Sequence, residues 1–270
     1  MDLILFYLYA INRNMDILKR ASNSFLIEAF LTLIVYVFYA VILGLSFTPS
    51  LYLLFRALKT YILPPLSTGT LVIPNVLIFG FALGIAVFLF FITGLVIMSA
   101  FVRMLSLGVK EGKYPAVSLT TLRWLIYSGI YNLAVRMILP VIPMTFFSTL
   151  FFRIIGCKIG KNVYLNTWIL NDAYLMEIGD NVIIGGGTDL SCHIYEHGYL
   201  KLKPIKIGRD TLIGAHCYIS PGVTIGKNCL IGLNSYIRQD RNIQDNTKIT
   251  SLAGISLHKA HKIEKERFII

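Results

Sequence analysis

Nine isoleucines, Ile207, Ile213, Ile219, Ile225, Ile231, Ile237, Ile243, Ile249 and Ile255, recur at every sixth position without interruption. A period of six matches neither the 3.6-residue turn of an α-helix nor the two-residue alternation of a half-buried strand. It fits a solenoid whose coil has three short strands, each sending one aliphatic side chain into a narrow triangular prism. The register begins earlier, at Ile159 and Leu165 and then Ile178, Ile184 and Leu190, with one slip between Leu165 and Ile178. Gly follows many of these residues, as at Gly160, Gly179, Gly185, Gly208, Gly214, Gly226 and Gly232, where it is expected to free the backbone for a corner. Coils are expected at about 159–176, 178–195, 207–224 and 225–242, with a partial one at 243–256. A nine-residue excursion from Glu196 to Pro204 breaks the register.

Ahead of Arg153 the pattern is different. Of 25 Lys/Arg and 14 Asp/Glu, residues 1–152 hold only 10 and 4, in a chain that is 56% hydrophobic and 14% charged; soluble domains carry about 25% charged residues. This half reads as a membrane domain. Phe25 to Phe47 holds one charge, Glu28, and Val76 to Val102 holds none, so each is long enough to cross a hydrocarbon core of about 30 Å. Leu3 to Ile11 is too short to cross and reads as an interfacial segment. Leu51 to Leu66, with Arg56, Lys59 and Pro64-Pro65, reads as a surface or re-entrant helix. The stretch 120–152, interrupted by Arg123, Arg136, Pro140 and Pro143, reads as interfacial helices. They are either a membrane-hugging connector or a platform that lets an acceptor in the bilayer reach the second domain. Basic residues flanking the spans place both ends in the cytoplasm by the positive-inside rule, so an integral protein of the cytoplasmic membrane with its C-terminal domain in the cytoplasm is expected.

The net charge of +11 divides almost evenly between the halves, which argues against a nucleic-acid partner and for an anionic leaflet nearby. The remaining local concentration is a basic tail, 258–270. Cys157, Cys192, Cys217 and Cys229 have neither the paired spacing of a zinc site nor that of a compact disulfide framework. Free thiols in a reducing compartment are expected.

The run Pro204-Ile205-Lys206-Ile207-Gly208, then Ile213-Gly214-Ala215, then Ile219-Ser220-Pro221-Gly222-Val223-Thr224-Ile225-Gly226, then Ile231-Gly232 with Ser235, resembles the signature of hexapeptide-repeat acyltransferases. Arg153 to Gly160 and Cys192 to Glu196 are similar to the acyltransferase-like terminal region of membrane-bound peptide synthetases. The resemblance implies a left-handed parallel β-helix over 153–257, a handedness that departs from the usual crossover rule. The fold expected is thus an α-helical transmembrane and interfacial half, residues 1–152, followed by an all-β domain. It also implies acetyl-CoA or another acyl-CoA as co-substrate, no permanently bound cofactor or metal, and a homotrimer with its active groove between prisms. Gly254-Ile255-Ser256-Leu257 departs from the family's closing Gly-x-Pro-Ala.

Acyl transfer needs a base, an oxyanion donor and a groove that aligns two substrates. The resemblance gives the base to His193, which stands at a coil corner beside the register break. Glu196 and His197 follow closely and are candidates to orient the imidazole or contact the acceptor. His216 is read as packing or groove lining. The resemblance places the amide of Ala215 at the thioester carbonyl and the pantetheine arm along Gly214, Ala215, Ser220, Gly222, Gly232 and Ser235. Lys248 and the tail lysines Lys259 and Lys262 are candidates either to meet the nucleotide phosphates or to lie near lipid. Trp168, Asn171 and Asp172, from the irregular first coil, are either an acceptor-binding cluster or a cap for the prism. The expected activity is acyl transfer to a hydroxyl or amine of a lipid-embedded or lipid-linked acceptor. The alternatives are a non-catalytic trimerisation scaffold and a γ-carbonic-anhydrase-like hydratase; the latter would need His193, His197 and His216 as zinc ligands across a subunit boundary.

Overall fold

A computed structural model of the protein describes residues 17–250 apart from 71 and 143. The segment 3–11, the last isoleucine of the register, the closing tetrapeptide at 254 and the basic tail lie outside the described residues.

The first half is helical. It comprises α1 (Ile17–Ala57), a π-helical turn (Leu58–Ile62), α2 (Leu63–Ser67), α3 (Ile73–Ser106), a short strand β1 (Gly112–Pro115), α4 (Leu119–Met137), a 3-10 turn (Leu139–Val141) and α5 (Phe146–Ile154). Three stretches, Thr32–Ser67, Ile73–Ser106 and Leu119–Val141, are long and apolar enough to cross a membrane. The sequence suggests two such spans and a separate helix over 51–66. Instead, α1 runs on through Pro49 to Ala57. A proline inside a helix removes one backbone donor, and the surrounding apolar turns hold the helix together. α4 supplies the third stretch, half of it buried (50%) against the rest of the molecule, and the chain breaks at Pro140 before the short α5.

Side chains join these helices. Thr93 donates to the carbonyl of Ser46 at 2.9 Å, and Phe47 stacks on Phe90 with ring centroids 4.2 Å apart, holding α1 against α3. The Tyr39 hydroxyl donates to the carbonyl of Gly129 at 2.8 Å, tying α1 to α4. Ser118 caps α4 by accepting from the amide of Thr121 at 3.1 Å. Arg123 donates to the carbonyls of Met104 and Leu107, satisfying oxygens that the end of α3 leaves without a helical partner.

The second half is a parallel β-helix. Its strands are β2 (Lys158–Ile159), β3 (Tyr164–Leu165), β4 (Leu170–Asn171), β5 (Met176–Ile178), β6 (Ile183–Ile184), β7 (Asp189–Ser191), β8 (His193–Glu196), β9 (Tyr199–Leu202), β10 (Ile205–Ile207), β11 (Leu212–Ile213), β12 (Tyr218–Ile219), β13 (Thr224–Ile225), β14 (Leu230–Ile231), β15 (Tyr236–Ile237), β16 (Asn242–Ile243) and β17 (Lys248–Ile249). All but β8 and β9, which form a separate antiparallel sheet with β1, fall into three parallel sheets, β2-β5-β10-β13-β16, β3-β6-β11-β14-β17 and β4-β7-β12-β15. The six-residue register appears as columns: Ile178, Ile207, Ile225 and Ile243 align in the first sheet, Ile184, Ile213, Ile231 and Ile249 in the second, and Leu190, Ile219 and Ile237 in the third.

The glycines act differently from expectation. The left-handed backbone at one set of corners belongs to Asn162, Asn181, Asp210, Asn228 and Asn246, with φ between 53° and 62°, two residues beyond each glycine position. Asn and Asp tolerate that conformation, and their side chains hydrogen-bond from coil to coil, as Asn181 does to Asp210 at 2.8 Å. Glycine is needed for clearance: a Cβ on Gly208 would lie 2.5 Å from the backbone of Gly226 in the next coil, and one on Gly214 would lie 2.6 Å from the amide of Leu233.

The four cysteines are free and buried. At the corners two of them replace threonine, Cys229 above Thr211 and Cys217 above Thr188: the Cys217 thiol reaches the carbonyl of Gly232 at 3.1 Å, as the Thr188 hydroxyl reaches that of Gly214 at 2.7 Å. The lower end of the prism is closed from the first half, with Phe151, Phe152 and Ile155 fully buried. The Tyr131 hydroxyl of α4 accepts from the amide of Leu170 and donates to its carbonyl.

Candidate active site

Both irregularities of the register build the site. In the first coil the inward residues are Leu165, Leu170 and then Ile178; the long last interval is taken up by a 3-10 turn, Ala173–Leu175, entered through Asp172 in the left-handed region at φ 60°. The pairing of Asn171 with Ser191 places Asp172 directly below the corner that leads to His193.

The second irregularity is a β-hairpin. The excursion begins at His193 itself: β8 and β9 pair antiparallel from His193↔Leu202 to Glu196↔Tyr199. His197 and Gly198, at φ 50° and 78°, make the tight turn that such a two-residue hairpin requires. β1 pairs with the outer edge of β9, so the connector between α3 and α4 clamps the hairpin, and Lys113 lies over the Tyr199 ring at 3.9 Å.

At the base of this hairpin, Nδ1 of His193 lies 2.5 Å from Oδ2 of Asp172. Oδ1 of the same carboxylate accepts from the Trp124 indole nitrogen of α4 at 2.7 Å. The Trp124 ring meets the imidazole edge-on at 4.8 Å between centroids. Ser191 donates to the His193 carbonyl at 3.2 Å. The Asp172 side chain is 1% exposed and that of His193 24%, so the carboxylate is sealed while the imidazole keeps an open side. Burial works against charging His193, but the Asp172 carboxylate and its hydrogen bond, with Asp189 adding to them, raise its pKa above the ordinary histidine value. Asp189 itself is raised by burial, partly offset by His193 and by the Asn171 amide, which donates to it at 3.0 Å. With Nδ1 committed to a carboxylate, the lone pair of a neutral imidazole sits on Nε2, the arrangement a general base needs.

A cavity of about 520 Å³ opens beside His193, walled by α4 on one side and by the first coil, including Trp168, Ile169, Asn171 and Asp172, on the other. The sequence-derived cluster Trp168, Asn171 and Asp172 is therefore brought to the base, and Asp172 proves to be its partner. Glu196 and His197 are not brought there. Glu196 pairs with Lys201 across the hairpin, and His197 stands exposed at its tip, roughly 13 Å along the strand from His193 at about 3.3 Å per residue. The carboxylate that orients the imidazole comes from the coil below, because an outward-running hairpin carries its own side chains away from its base. His216 takes up a left-handed corner at φ 54° beside Gly187. Within one chain the three histidines named for the hydratase alternative stand apart, and among the described residues of that chain no group of three His, Cys, Asp or Glu is placed to hold a metal.

The residues assigned to the donor lie elsewhere on the prism. Gly214, Ala215, Gly232 and Ser235 occupy the corner between the second and third sheets, whereas Ser220 and Gly222 occupy the His193 corner one coil up. Ser235 bonds locally to the carbonyl of Gly232 at 2.6 Å, and Lys248 is an exposed residue of β17. Sheet three separates the amide of Ala215 from His193 within one chain. Trp124, Ser128, Asn132 and Arg136 are not legible as site residues in the sequence, although their i, i+4 spacing in an apolar helix marks one polar face.

Residues 204–239 match the bacterial transferase hexapeptide (six repeats) family. The chain is 30% identical over 136 residues to the delta-poly-L-ornithine synthetase of Acinetobacter baumannii, covering 48% of this chain and 10% of that protein. It is 39% identical over 75 residues to the galactoside O-acetyltransferase of Escherichia coli, covering 25% of this chain and 37% of that one. The chain thus spans well under half the length of either relative. Among solved structures it is similar to a hexapeptide-repeat acetyltransferase of Vibrio cholerae complexed with acetyl coenzyme A, at 26% identity and a TM-score of 0.32 over 36% of this chain and 56% of that one. A maltose O-acetyltransferase of Clostridium difficile aligns at 20% identity and a TM-score of 0.40, covering 53% and 89%. Residues 204–239 are thus a hexapeptide repeat of the bacterial transferase kind, in a chain whose similar relatives include a galactoside O-acetyltransferase.

Proposed function

We propose that the protein is a membrane-bound acyltransferase that moves an acetyl or other short acyl group from acyl-CoA to a hydroxyl or amine of a lipid-embedded or lipid-linked acceptor. The observation that carries this reading is the His193–Asp172 pair, opening onto a cavity whose other wall is a helix of the apolar half. The similarity to acetyltransferases, one of them crystallised with acetyl coenzyme A, supports the donor.

In this reading Nε2 of His193 takes the proton of the acceptor hydroxyl or amine as its oxygen or nitrogen attacks the thioester carbonyl. The tetrahedral oxyanion is held by backbone amides. When it collapses the C–S bond breaks, the acyl group remains on the acceptor, and the imidazolium returns its proton to the departing thiolate, giving free CoA. Asp172 holds the imidazole in the required tautomer and stabilises the imidazolium.

The oxyanion donor Ala215 and the groove residues Gly214, Gly232, Ser235 and Lys248 are assigned to a neighbouring copy, which brings its corner to the His193 of the first in a homotrimer, while Ser220 and Gly222 are assigned to the copy that supplies His193. Self-association is supported by exposed apolar side chains in a column on the second sheet, Tyr164, Ile183, Leu212 and Leu230, and by the stacked pair Tyr218 and Tyr236 on the third. The β-helix then faces the cytoplasm, where acyl-CoA is found.

The test is release of CoA and transfer of label from radiolabelled acetyl-CoA by the purified protein in lipid nanodiscs supplied with extracted membrane lipid. Wild type is expected to be active and His193→Ala to lose at least a hundredfold. Full activity in His193→Ala, or no consumption of the thioester by wild type, refutes the reading.

A further inference from the structure

The cavity beside His193 has two unlike ends. Trp124, Ser128, Asn132 and Arg136 follow one another at four-residue intervals along α4, which places them on one helix face. The last three line the cavity, while Trp124 is committed to Asp172. At about 1.5 Å per residue, Arg136 lies roughly 18 Å along the axis from Trp124. Helical side chains lean toward the N-terminus, so the guanidinium reaches back along the cavity toward its His193 end.

The polar inventory of the cavity is asymmetric. At the His193 end the carboxylates are already engaged, Asp172 by His193 and Trp124 and Asp189 by Asn171. At the far end Arg136 is the cation, and among the described residues no carboxylate forms an ion pair with it. Arg136 stands exposed in the last turn of α4, which keeps its guanidinium open to a ligand, and arginines on helices apolar enough to cross a membrane mark binding paths. Asn132 adds to this face: its amide nitrogen is used on the Ser128 carbonyl at 2.8 Å, which leaves its side-chain oxygen for a donor on a ligand.

We propose that this cavity is the acceptor site and that Arg136 binds an anionic group, a phosphate or a carboxylate, on the acceptor. The acceptor carries its reacting hydroxyl or amine at the other end of the cavity, at Nε2 of His193. A guanidinium suits either anion through paired N–H donors. The inference rests on the acyl-transfer reading and deepens it by naming the charge of the acceptor and the residue that selects it.

The test uses the full chain in nanodiscs with radiolabelled acetyl-CoA. The probes are the lipid extract and the aqueous extract of cells producing the protein, each divided by anion exchange into anionic and neutral pools. Label is expected in an anionic pool at least tenfold above its neutral counterpart; the lipid pool would identify a lipid-borne acceptor and the aqueous pool a soluble one. Arg136→Gln is expected to raise KM for the labelled anionic pool at least tenfold and to bring the anionic-to-neutral ratio near one, with a smaller effect on kcat, whereas Arg136→Lys retains most of the preference. Label in a neutral pool, or an unchanged ratio in Arg136→Gln, overturns the assignment of Arg136 while leaving acyl transfer standing. Intact acetyl-CoA with no label in any pool overturns the acyl-transfer reading and the inference with it.

Discussion

The buried carboxylate of Asp172 holds Nδ1 of His193 at 2.5 Å, from a residue that the sequence places in an irregular turn one coil below. Asp172→Asn keeps the shape of the side chain but can present its amide nitrogen to Nδ1, which favours the wrong tautomer. kcat for acyl transfer is expected to fall at least a hundredfold, about 2.7 kcal/mol of transition-state stabilisation, with little change in KM for acyl-CoA. Glu196→Gln, which disturbs only the Lys201 pair, is expected to change kcat less than twofold. Steady-state kinetics on the two variants checks both statements.

The raised pKa of His193, set by burial against the stronger pull of Asp172 and Asp189, fixes the direction of two pH effects. A base must be neutral, so kcat/KM rises with pH through a value above the ordinary 6.5 of histidine. The imidazolium–carboxylate pair works the other way: its contribution to stability is complete below the unfolded pKa and is lost as pH rises through the higher folded one. Activity therefore grows across the window in which this contribution fades. Thermal unfolding in detergent against pH, compared with His193→Gln, should show a decline in that window that the variant lacks.

Trp124 contributes the other hydrogen bond to Asp172. Trp124→Phe removes the N–H and keeps an aromatic ring against the imidazole, so one oxygen of a buried carboxylate is left without its donor, a loss of about 1–3 kcal/mol. The melting temperature is expected to fall, and kcat to drop roughly tenfold, about 1.4 kcal/mol. An unchanged kcat would show that Asp172 positions the histidine without help from α4.

Much of the fold is legible because the prism imposes one spacing on every coil. Ile207 through Ile249 sit inward as the period requires, and the break in register lies beside His193. What the sequence hides is whatever depends on contacts between coils or between halves. Asp172 is 21 residues from His193 and Trp124 is 48 from Asp172; no local pattern links them. In sequence the hairpin looks like a loop because its outer partner, β1, lies in the connector after α3. Arg136 looks like an interruption of an apolar stretch, whereas its position relative to Ser128 and Asn132 identifies a helix face.

The thiols provide a test of how the corners are packed. Cys157, Cys192, Cys217 and Cys229 are each 4% exposed or less, and burial pushes Cys157 up to about 12 and raises Cys192 and Cys217 as well. Thiolate is the reactive form. At pH 8 an aromatic disulfide reagent should titrate none of these four thiols in the folded protein and all four after unfolding, and Cys217→Thr should cost less than about 1 kcal/mol because threonine already fills the equivalent corner at Thr188.

Glycine after an inward isoleucine provides the clearance between coils, and this predicts a position-dependent cost. A methyl on Gly208 would lie 2.5 Å from the backbone of Gly226, where no side chain can rotate away. Gly208→Ala must therefore spread two coils, at about 1–3 kcal/mol or more. Gln244 follows Ile243 at the same step of the repeat and already carries a side chain, with no further coil stacked on it among the described residues. Gln244→Ala should stay within about 0.5 kcal/mol of wild type. If glycine served the backbone conformation of the corner instead, Gln244 would be strained and Gln244→Gly would stabilise the fold; unfolding midpoints of Gly208→Ala, Gln244→Ala and Gln244→Gly decide between the two.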